Sequence, residues 1–271
     1  MSETFVEYKR SHLVESVHKV KVLVSNLDKK VLINSGHNNN LIYPRSSIKI
    51  FQAIPFINST LLNYFKINKK KIALSCSSHR GENFHINELK KWTKQISINA
   101  NKLQCGIHSP LNLKANEKLY RSNLVVDQLH NNCAGKHLAM ITSCIINNYN
   151  IKNYLDFDHP HQIEIRKVFE KFSNKKIMHK QYGVDGCSAP QYSFKISDIC
   201  NMLINLIKSY KDDFYYSNEV KILINSILQY PNYIGGTDSL DSRIMSISKN
   251  NIFCKGGAEG GFLFAHLKKD I

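Results

Sequence analysis

The sequence contains no apolar run long enough to cross a membrane: its longest largely apolar stretch, residues 138–146, is about half of what a bilayer requires. Its first residues include Glu3 and Glu7 and lack the apolar segment of a secretory signal, which predicts a cytoplasmic location. A disordered chain is excluded, because 42% of the 271 residues are apolar, enough for a packed core. No Gly/Ser-rich linker, repeat or low-complexity segment divides the chain, and we therefore expect one domain over residues 1–271.

Acidic residues are scarce relative to basic ones: 21 Asp+Glu stand against 37 Lys+Arg, giving a formal net charge of +16. A nucleic-acid-binding surface would concentrate the basic residues on one stripe, but here they are scattered, and residues 69–71 form the only lysine triple. We therefore predict incidental surface charge and no nucleic-acid partner. The charge would still steer anionic substrates toward the protein.

Cysteine pairs of the C-x-x-C type are absent, and the seven cysteines form an odd set. In a chain of this length without a secretion signal, this pattern does not indicate a disulfide framework. Most of the thiols are expected to be small buried hydrophobic groups. Cys133 and Cys187, in separate loops, could instead bind a soft metal such as Zn²⁺, which normally takes four ligands; unliganded buried thiols are the alternative.

Hydrophobic periodicity predicts strands near the two ends of the chain and helices between them. The predicted strands are 20–24, 30–33, 252–254 and 261–265. The predicted helices are one that starts at 43–47 and stops before Pro55, followed by 86–98, 135–148, 162–172, 197–208 and 218–229. This order favours an α/β or α+β fold in which the first strands pair with the last.

A hydroxyl and an amine suited to nucleophilic catalysis occur at Ser46 and Lys49, three positions apart on one predicted helical face. A neutral lysine can take the proton of a serine, and a helix N-terminus favours the negative charge that develops. The same S-x-x-K spacing begins at Ser16, Ser173 and Ser246, so spacing alone decides nothing. Ser46 differs because it follows a Pro-Arg turn and opens an apolar helix; a plain N-cap serine is the alternative.

Two further loops carry groups that could take part in catalysis. Residues 76–82 are small and polar and follow the apolar residues 72–74, which predicts a strand that ends in a loop displaying reactive groups. Residues 254–261 are rich in glycine, which lets a backbone approach a ligand and present N–H groups to an oxyanion. An ordinary polar turn and a glycine hairpin between two strands are the respective alternatives.

Several short motifs occur in a fixed order along nearly the whole chain. They are residues 14–18, 44–49 with 52–53, 78–82, 105–106, 132–137, 185–190, Asp241 and 255–260. In this order and spacing they resemble the L-asparaginase family typified by the rhizobial inducible and thermolabile enzymes. One departure lies at residues 10–12, which read Arg-Ser-His where the family has Arg-Gly-Gly.

The resemblance implies a fold similar to serine β-lactamases and glutaminases, with a mostly antiparallel sheet flanked by helices. It implies two Ser–Lys pairs, Ser46 with Lys49 and Ser78 with Lys255. The other implied site residues are Arg45, His137 and Asp185 for substrate binding and Cys133, Lys136 and Cys187 for a Zn²⁺ ion. Asp185 would receive the α-ammonium of the substrate. A homodimer is also implied.

The function that the resemblance implies is hydrolysis of the side-chain amide of L-asparagine to L-aspartate and ammonia. Lys49 would deprotonate Ser46, and Lys255 and Ser78 would relay protons; Ser78 is the alternative nucleophile. The chain ends at Ile271, whereas the family continues for several tens of residues, so a substrate-binding pseudoenzyme is the alternative. A penicillin-recognising acyltransferase fits S-x-x-K and the late Lys-Gly, but the sequence lacks a Ser-Asp-Asn triplet.

Overall fold

The computed structural model describes residues 3–36 and 39–269, and within them the chain forms ten strands and ten α-helices. The strands are β1 (Thr4–Arg10), β2 (Leu13–Val20), β3 (Val22–Ser25), β4 (Val31–Ser35), β5 (Leu41–Ile42), β6 (Tyr182–Val184), β7 (Pro190–Tyr192), β8 (Phe194–Lys195), β9 (Ile252–Gly256) and β10 (Phe262–His266). The helices are α1 (Lys49–Ala53), α2 (Ser59–Tyr64), α3 (Lys69–Ser75), α4 (Asn83–Gln95), α5 (Leu113–Arg121), α6 (Ala134–Ile146), α7 (Pro160–Ser173), α8 (Ile196–Lys211), α9 (Ser217–Gln229) and α10 (Leu240–Ile247). None of these described helices is long and apolar enough to cross a membrane. Ile271, on which the expectation of a shortened C-terminus rests, lies outside the described residues.

All strand pairs in the described chain are antiparallel, and the mixture of helices and small sheets agrees with the predicted α+β class. The pairs are β1–β2, β3–β4, β5–β8, β6–β7 and β9–β10. Each ladder has two strands, so the prediction that the first strands pair with the last is wrong for residues 3–36 and 39–269. Short turns close β3–β4 and β9–β10 as local hairpins, which costs less loop entropy than a distant pairing. Both β3 and β10 contact α8 instead, and β9 lies against α10.

The hairpin β1–β2 was not predicted from the sequence. Its turn holds Ser11 at φ +53°, a left-handed conformation that favours glycine. Large apolar side chains of the hairpin, including Tyr8 and Leu13, are exposed. The predicted strand 20–24 is interrupted at Lys21, which separates β2 from β3.

Periodicity predicted the long helices correctly, because α4, α6, α7, α8 and α9 overlap the predicted ranges to within a few residues. In α7, Pro160 occupies the first turn, His159 caps the N-terminus with its side chain, and Asn174 at φ +54° ends the helix. The first predicted helix consists of a 3₁₀ turn, Arg45–Ile48, followed by α1, and the α-helix ends before Pro55 as expected.

The core is built around α6, whose residues 134–144 are all buried. This helix packs against α1, α3 and α4. The closest approach is at Gly135, where a Cβ atom would lie 2.1 Å from the carbonyl oxygen of Leu74 in α3. Because of this contact, the N-cap residue of α6, Cys133, and its first turn with Lys136 lie beside the C-terminal end of α3 and the loop that follows it.

Gly135→Ala tests this close contact. Ala normally stabilises a helix interior by about 1 kcal/mol relative to Gly, but here its methyl group would overlap backbone atoms that cannot move cheaply. We expect the free energy of unfolding, measured by urea denaturation, to fall by about 3 kcal/mol. Gly186→Ala is the matched control, since its nearest neighbour would be Arg45 Nη2 at 3.8 Å. Equal stability of the two variants would contradict the described approach of α6 to α3.

Candidate active site

The loop that carries Ser78 follows α3, and the structure of residues 72–74 before it differs from the sequence prediction. Asn68 caps α3, accepting a hydrogen bond from Lys71 N on its side-chain oxygen. Residues 72–74 belong to the helix, so the strand predicted there is wrong. Three apolar residues fit a short strand and a buried helical turn equally, and the capping Asn68 was the signal that distinguishes them.

Ser78 lies between the amines of two buried lysines. Its backbone N–H donates to Ile234 O at 2.8 Å, which fixes the loop. Its Oγ is 3.0 Å from Lys49 Nζ and 3.3 Å from Lys255 Nζ. Lys49, in α1, is 0% exposed, and Lys255, in β9, is 3% exposed. Three of the four residues expected to be catalytic thus form one hydrogen-bonded group.

Ser46 stands apart from that group. It lies inside the 3₁₀ turn and is not its N-cap, which is Pro44. In the part of the chain that the structure describes, the Ser46 hydroxyl makes no hydrogen bond. The Lys49 amine, three positions later, contacts Ser77 O, Ser78 Oγ and Cys133 Sγ instead. The predicted Ser46–Lys49 contact is therefore absent from this arrangement, because the lysine side chain enters the core toward the α3 loop.

Asp241, at the start of α10, holds the second lysine. Its Oδ2 lies 3.4 Å from Lys255 Nζ and accepts a hydrogen bond from Gly256 N at 3.3 Å. Burial lowers the pKa of Lys255; the charge of Asp241 opposes this shift and that of Lys49 adds to it, leaving the pKa below its usual value. Burial alone would raise the pKa of Asp241, but Lys255, the Ser239 hydroxyl and two backbone N–H groups outweigh it and keep the carboxylate ionised.

The two cysteines expected to bind metal lie next to Lys136 and Lys49. Lys136 Nζ is 3.1 Å from Cys187 Sγ, and Lys49 Nζ is 3.2 Å from Cys133 Sγ. A hydrogen bond with Cys133 is the main cause of the lowered pKa of Cys187, and the charge of Lys136 adds to it; together they favour the thiolate despite its burial. The same thiolate raises the pKa of Cys133, which keeps its proton. Burial lowers the pKa of Lys136, but both cysteines and Asp185 raise it further, so its amine is charged.

This donor set fits a metal ion only if Lys136 takes part. Among residues 3–36 and 39–269, no group of three or more His, Cys, Asp and Glu side chains could hold a metal ion. Cys133 and Cys187 offer two sulfurs, and the Lys136 amine is the third donor within reach. The amine and the Cys133 thiol must lose their protons before they can bind, so the set fits Zn²⁺ in a reaction that releases protons. A lysine-containing site of this kind is what the resemblance implies.

The residues expected to bind substrate are occupied with other parts of the protein. Arg45 Nη2 and Nε each lie 2.7 Å from Asp185 Oδ1, and Gly186 N donates to the same oxygen. His137 is 0% exposed, and its Nδ1 lies 2.6 Å from Tyr154 OH. None of the three lines the cleft beside Ser78. Their substrate-binding role stays a prediction.

A cleft of about 450 Å³ opens beside Ser78 and is large enough for a small amino acid. Ser46, Ser78, Asp241 and Lys255 line it, and residues 256–258 form one wall. The remaining polar lining consists of Arg80, Asn132, Asp238 and Ser239. Both serines therefore face the same space, although only Ser78 is bonded to lysine.

The glycine-rich segment is the hairpin that joins β9 and β10, in agreement with the alternative interpretation of that motif. Gly257 N donates to Gly261 O at 2.7 Å, and Gly256 N donates to Asp241, so neither N–H is free for an oxyanion. A Cβ atom on Gly257 would lie 2.7 Å from Pro44 O. Glycine at this position lets the hairpin press against the turn that carries Ser46 and closes one side of the cleft.

Sequence reasoning gave no role to Arg80, Asp238 or Asp241, which the structure brings to the cleft. Arg80 and Asp241 were within the motifs that carry the resemblance, so the signal was present. Asp238 lies in a loop between Gly236 and α10, a segment that sequence reasoning did not single out.

The α+β fold and the cleft with serines and buried lysines define a candidate hydrolase. Comparison with protein families matched residues 6–271 to the family described as L-asparaginase II. The chain belongs to this family, and the resemblance seen in the sequence motifs is confirmed. A search of the curated proteins found no match.

Proposed function

We propose that the protein hydrolyses the side-chain amide of L-asparagine to L-aspartate and ammonia, with Ser78 as the nucleophile. The observation that carries this proposal is the position of Ser78 Oγ, 3.0 Å and 3.3 Å from the amines of Lys49 and Lys255, at the cleft wall. Membership of the L-asparaginase II family supports the choice of substrate. The serine β-lactamase-like arrangement that the resemblance implies is part of the same proposal.

Lys255 is the base in this mechanism. Its lowered pKa, caused first by burial, favours the neutral amine that can accept the Ser78 proton. Ser78 Oγ then forms a bond to the amide carbon, and the proton passes from Lys255 to the leaving nitrogen as the C–N bond breaks. Ammonia departs, and an aspartyl ester remains on Ser78. Lys255 then deprotonates a water molecule, which hydrolyses that ester.

We assign Lys49 a different role, as a donor: its amine contacts three acceptors, Ser77 O, Ser78 Oγ and Cys133 Sγ. Its positive charge orients the Ser78 hydroxyl and stabilises the alkoxide that forms on it. This assignment differs from the sequence-based mechanism, in which Lys49 deprotonates Ser46. Ser46 then acts as a polar group of the cleft.

Cys133, Lys136 and Cys187 would hold a Zn²⁺ ion, as the resemblance implies. When bound, the ion supplies positive charge to polarise a substrate oxygen. Lys49, which contacts both Cys133 and Ser78, connects this cluster to the reacting hydroxyl. The proposed homodimer would be tested separately by sedimentation.

Cys187→Ser tests the metal site. We expect purified protein to contain close to one zinc ion per chain by elemental mass spectrometry. Cys187→Ser should bind zinc at least about 100-fold more weakly. Replacing the thiolate removes the softest ligand and the partner of Lys136. Cys200→Ser is the matched control, since Cys200 contacts Ser25 away from the cluster. Equal zinc contents in the two variants would rule out Cys187 as a ligand.

Ammonia release from L-asparagine by the purified folded protein, with and without added Zn²⁺, tests the function. We expect release that depends on Ser78. Binding of L-asparagine without ammonia release would support the pseudoenzyme instead.

A further inference from the structure

Two charged residues of the cleft, Arg80 and Asp238, have side chains without a charged partner in the described part of the chain. Arg80 is partly buried and Asp238 is exposed at the rim. Within residues 3–36 and 39–269, neither side chain forms an ion pair or a hydrogen bond. Asp241, by contrast, binds Lys255, so Asp238 is the acidic group of the cleft that is available to a ligand.

The carboxylate nearest to Arg80 in sequence, Glu82, is already engaged. Its Oε1 accepts a hydrogen bond from Thr237 N and its Oε2 one from Thr237 Oγ1, both at 2.9 Å. Gly236 passes close by, since a Cβ atom there would lie 2.5 Å from Glu82 Oε1 and 3.3 Å from Arg80 Cβ. Glu82 therefore ties the loop that carries Ser78 and Arg80 to the loop that carries Asp238, and it holds the two unpaired charges in the same cleft.

We propose that Arg80 binds the α-carboxylate and Asp238 the α-ammonium of the substrate, so that the cleft accepts free amino acids. The planar guanidinium can form two parallel hydrogen bonds with a carboxylate, and an aspartate accepts hydrogen bonds from an ammonium. Arg80 follows Ser78 by two residues, so the anchor and the nucleophile lie on one loop. Asp185, the residue first expected to bind the α-ammonium, is paired with Arg45 instead. An asparagine within a peptide chain has neither free group and would be excluded.

This inference rests on the proposed function, and binding measurements in a Ser78→Ala background separate the two. Three ligands are compared by calorimetry or ligand-observed NMR: L-asparagine, 3-aminopropanamide, which lacks the α-carboxylate, and succinamate, which lacks the α-ammonium. Arg80→Gln should weaken the binding of L-asparagine and succinamate by about 10- to 100-fold and change the affinity for 3-aminopropanamide by no more than about 2-fold. Asp238→Asn should weaken the binding of L-asparagine and 3-aminopropanamide and leave the affinity for succinamate unchanged.

Arg80→Lys should recover part of the affinity that Arg80→Gln loses, because lysine restores the positive charge but not the two parallel N–H donors of the guanidinium. Arg243→Gln is the matched control, since Arg243 is exposed on α10 and does not line the cleft; no ligand should lose affinity. Equal weakening of all three ligands by Arg80→Gln, or no weakening of L-asparagine, would overturn the subsite. If the ligand pattern holds but wild-type protein releases no ammonia, the proposed function fails and the amino-acid subsite stands.

Discussion

Replacing Ser78 with alanine is expected to reduce ammonia release from L-asparagine by at least about 10⁴-fold, the scale on which loss of a nucleophile acts in serine hydrolases. The reason is geometric: the Ser78 hydroxyl is bonded to both buried amines, and alanine leaves Lys49 and Lys255 without the atom on which they act. The measurement is kcat from an enzyme-coupled ammonia assay. A thermal melt should show little change, because Ser78 is only partly buried.

Ser46→Ala is the matched control for this prediction. Ser46 lines the same cleft, but its hydroxyl has no hydrogen bond in the described part of the chain, and Lys49 contacts other acceptors. We expect kcat to fall by no more than about 10-fold, the loss of one polar contact in a cleft. If Ser46→Ala abolishes turnover and Ser78→Ala retains it, the nucleophile is Ser46, as the motif first indicated, and Lys49 must reorient when substrate binds.

The features that the sequence could predict are local ones. The helices α6 to α9 follow from apolar periodicity over a dozen or more residues, which few other structures produce. The β9–β10 hairpin follows from glycine between two apolar runs. The motif order also identified the family, and it placed Lys49, Ser78 and Lys255 among the site residues before their contact was known.

The features that it could not predict depend on contacts between distant segments. Nothing in residues 20–33 indicates that β3 packs against α8 rather than pairing with the last strands. The direction of the Lys49 side chain is likewise set by acceptors from distant segments, Ser77 O and Ser78 Oγ in the loop after α3 and Cys133 Sγ at the N-cap of α6, and not by the S-x-x-K spacing. The same holds for Arg80, whose free charge is apparent only once Glu82 is known to bind Thr237.

Lys255→Gln is expected to lower kcat/KM by about 10²- to 10⁴-fold and to remove the rising limb of its pH profile. In the wild type, activity requires the neutral amine, so kcat/KM rises as pH passes upward through the pKa of Lys255. Burial, together with the charge of Lys49, lowers that pKa, so the limb lies below the usual range of a lysine. The measurement is kcat/KM for L-asparagine as a function of pH.

Asp241→Asn distinguishes this acid–base role from a loss of structure. The Asp241 charge raises the pKa of Lys255, and its removal lets burial and Lys49 lower the pKa further. The rising limb should therefore persist in Asp241→Asn but move to lower pH, whereas it disappears in Lys255→Gln. Lys255→Gln also leaves the buried Asp241 carboxylate without its partner. The Lys255→Gln variant should therefore be less stable than the double variant Lys255→Gln/Asp241→Asn. The double variant should recover stability but not turnover. A limb that stays at the same pH in Asp241→Asn would show that a group other than Lys255 takes the proton from Ser78.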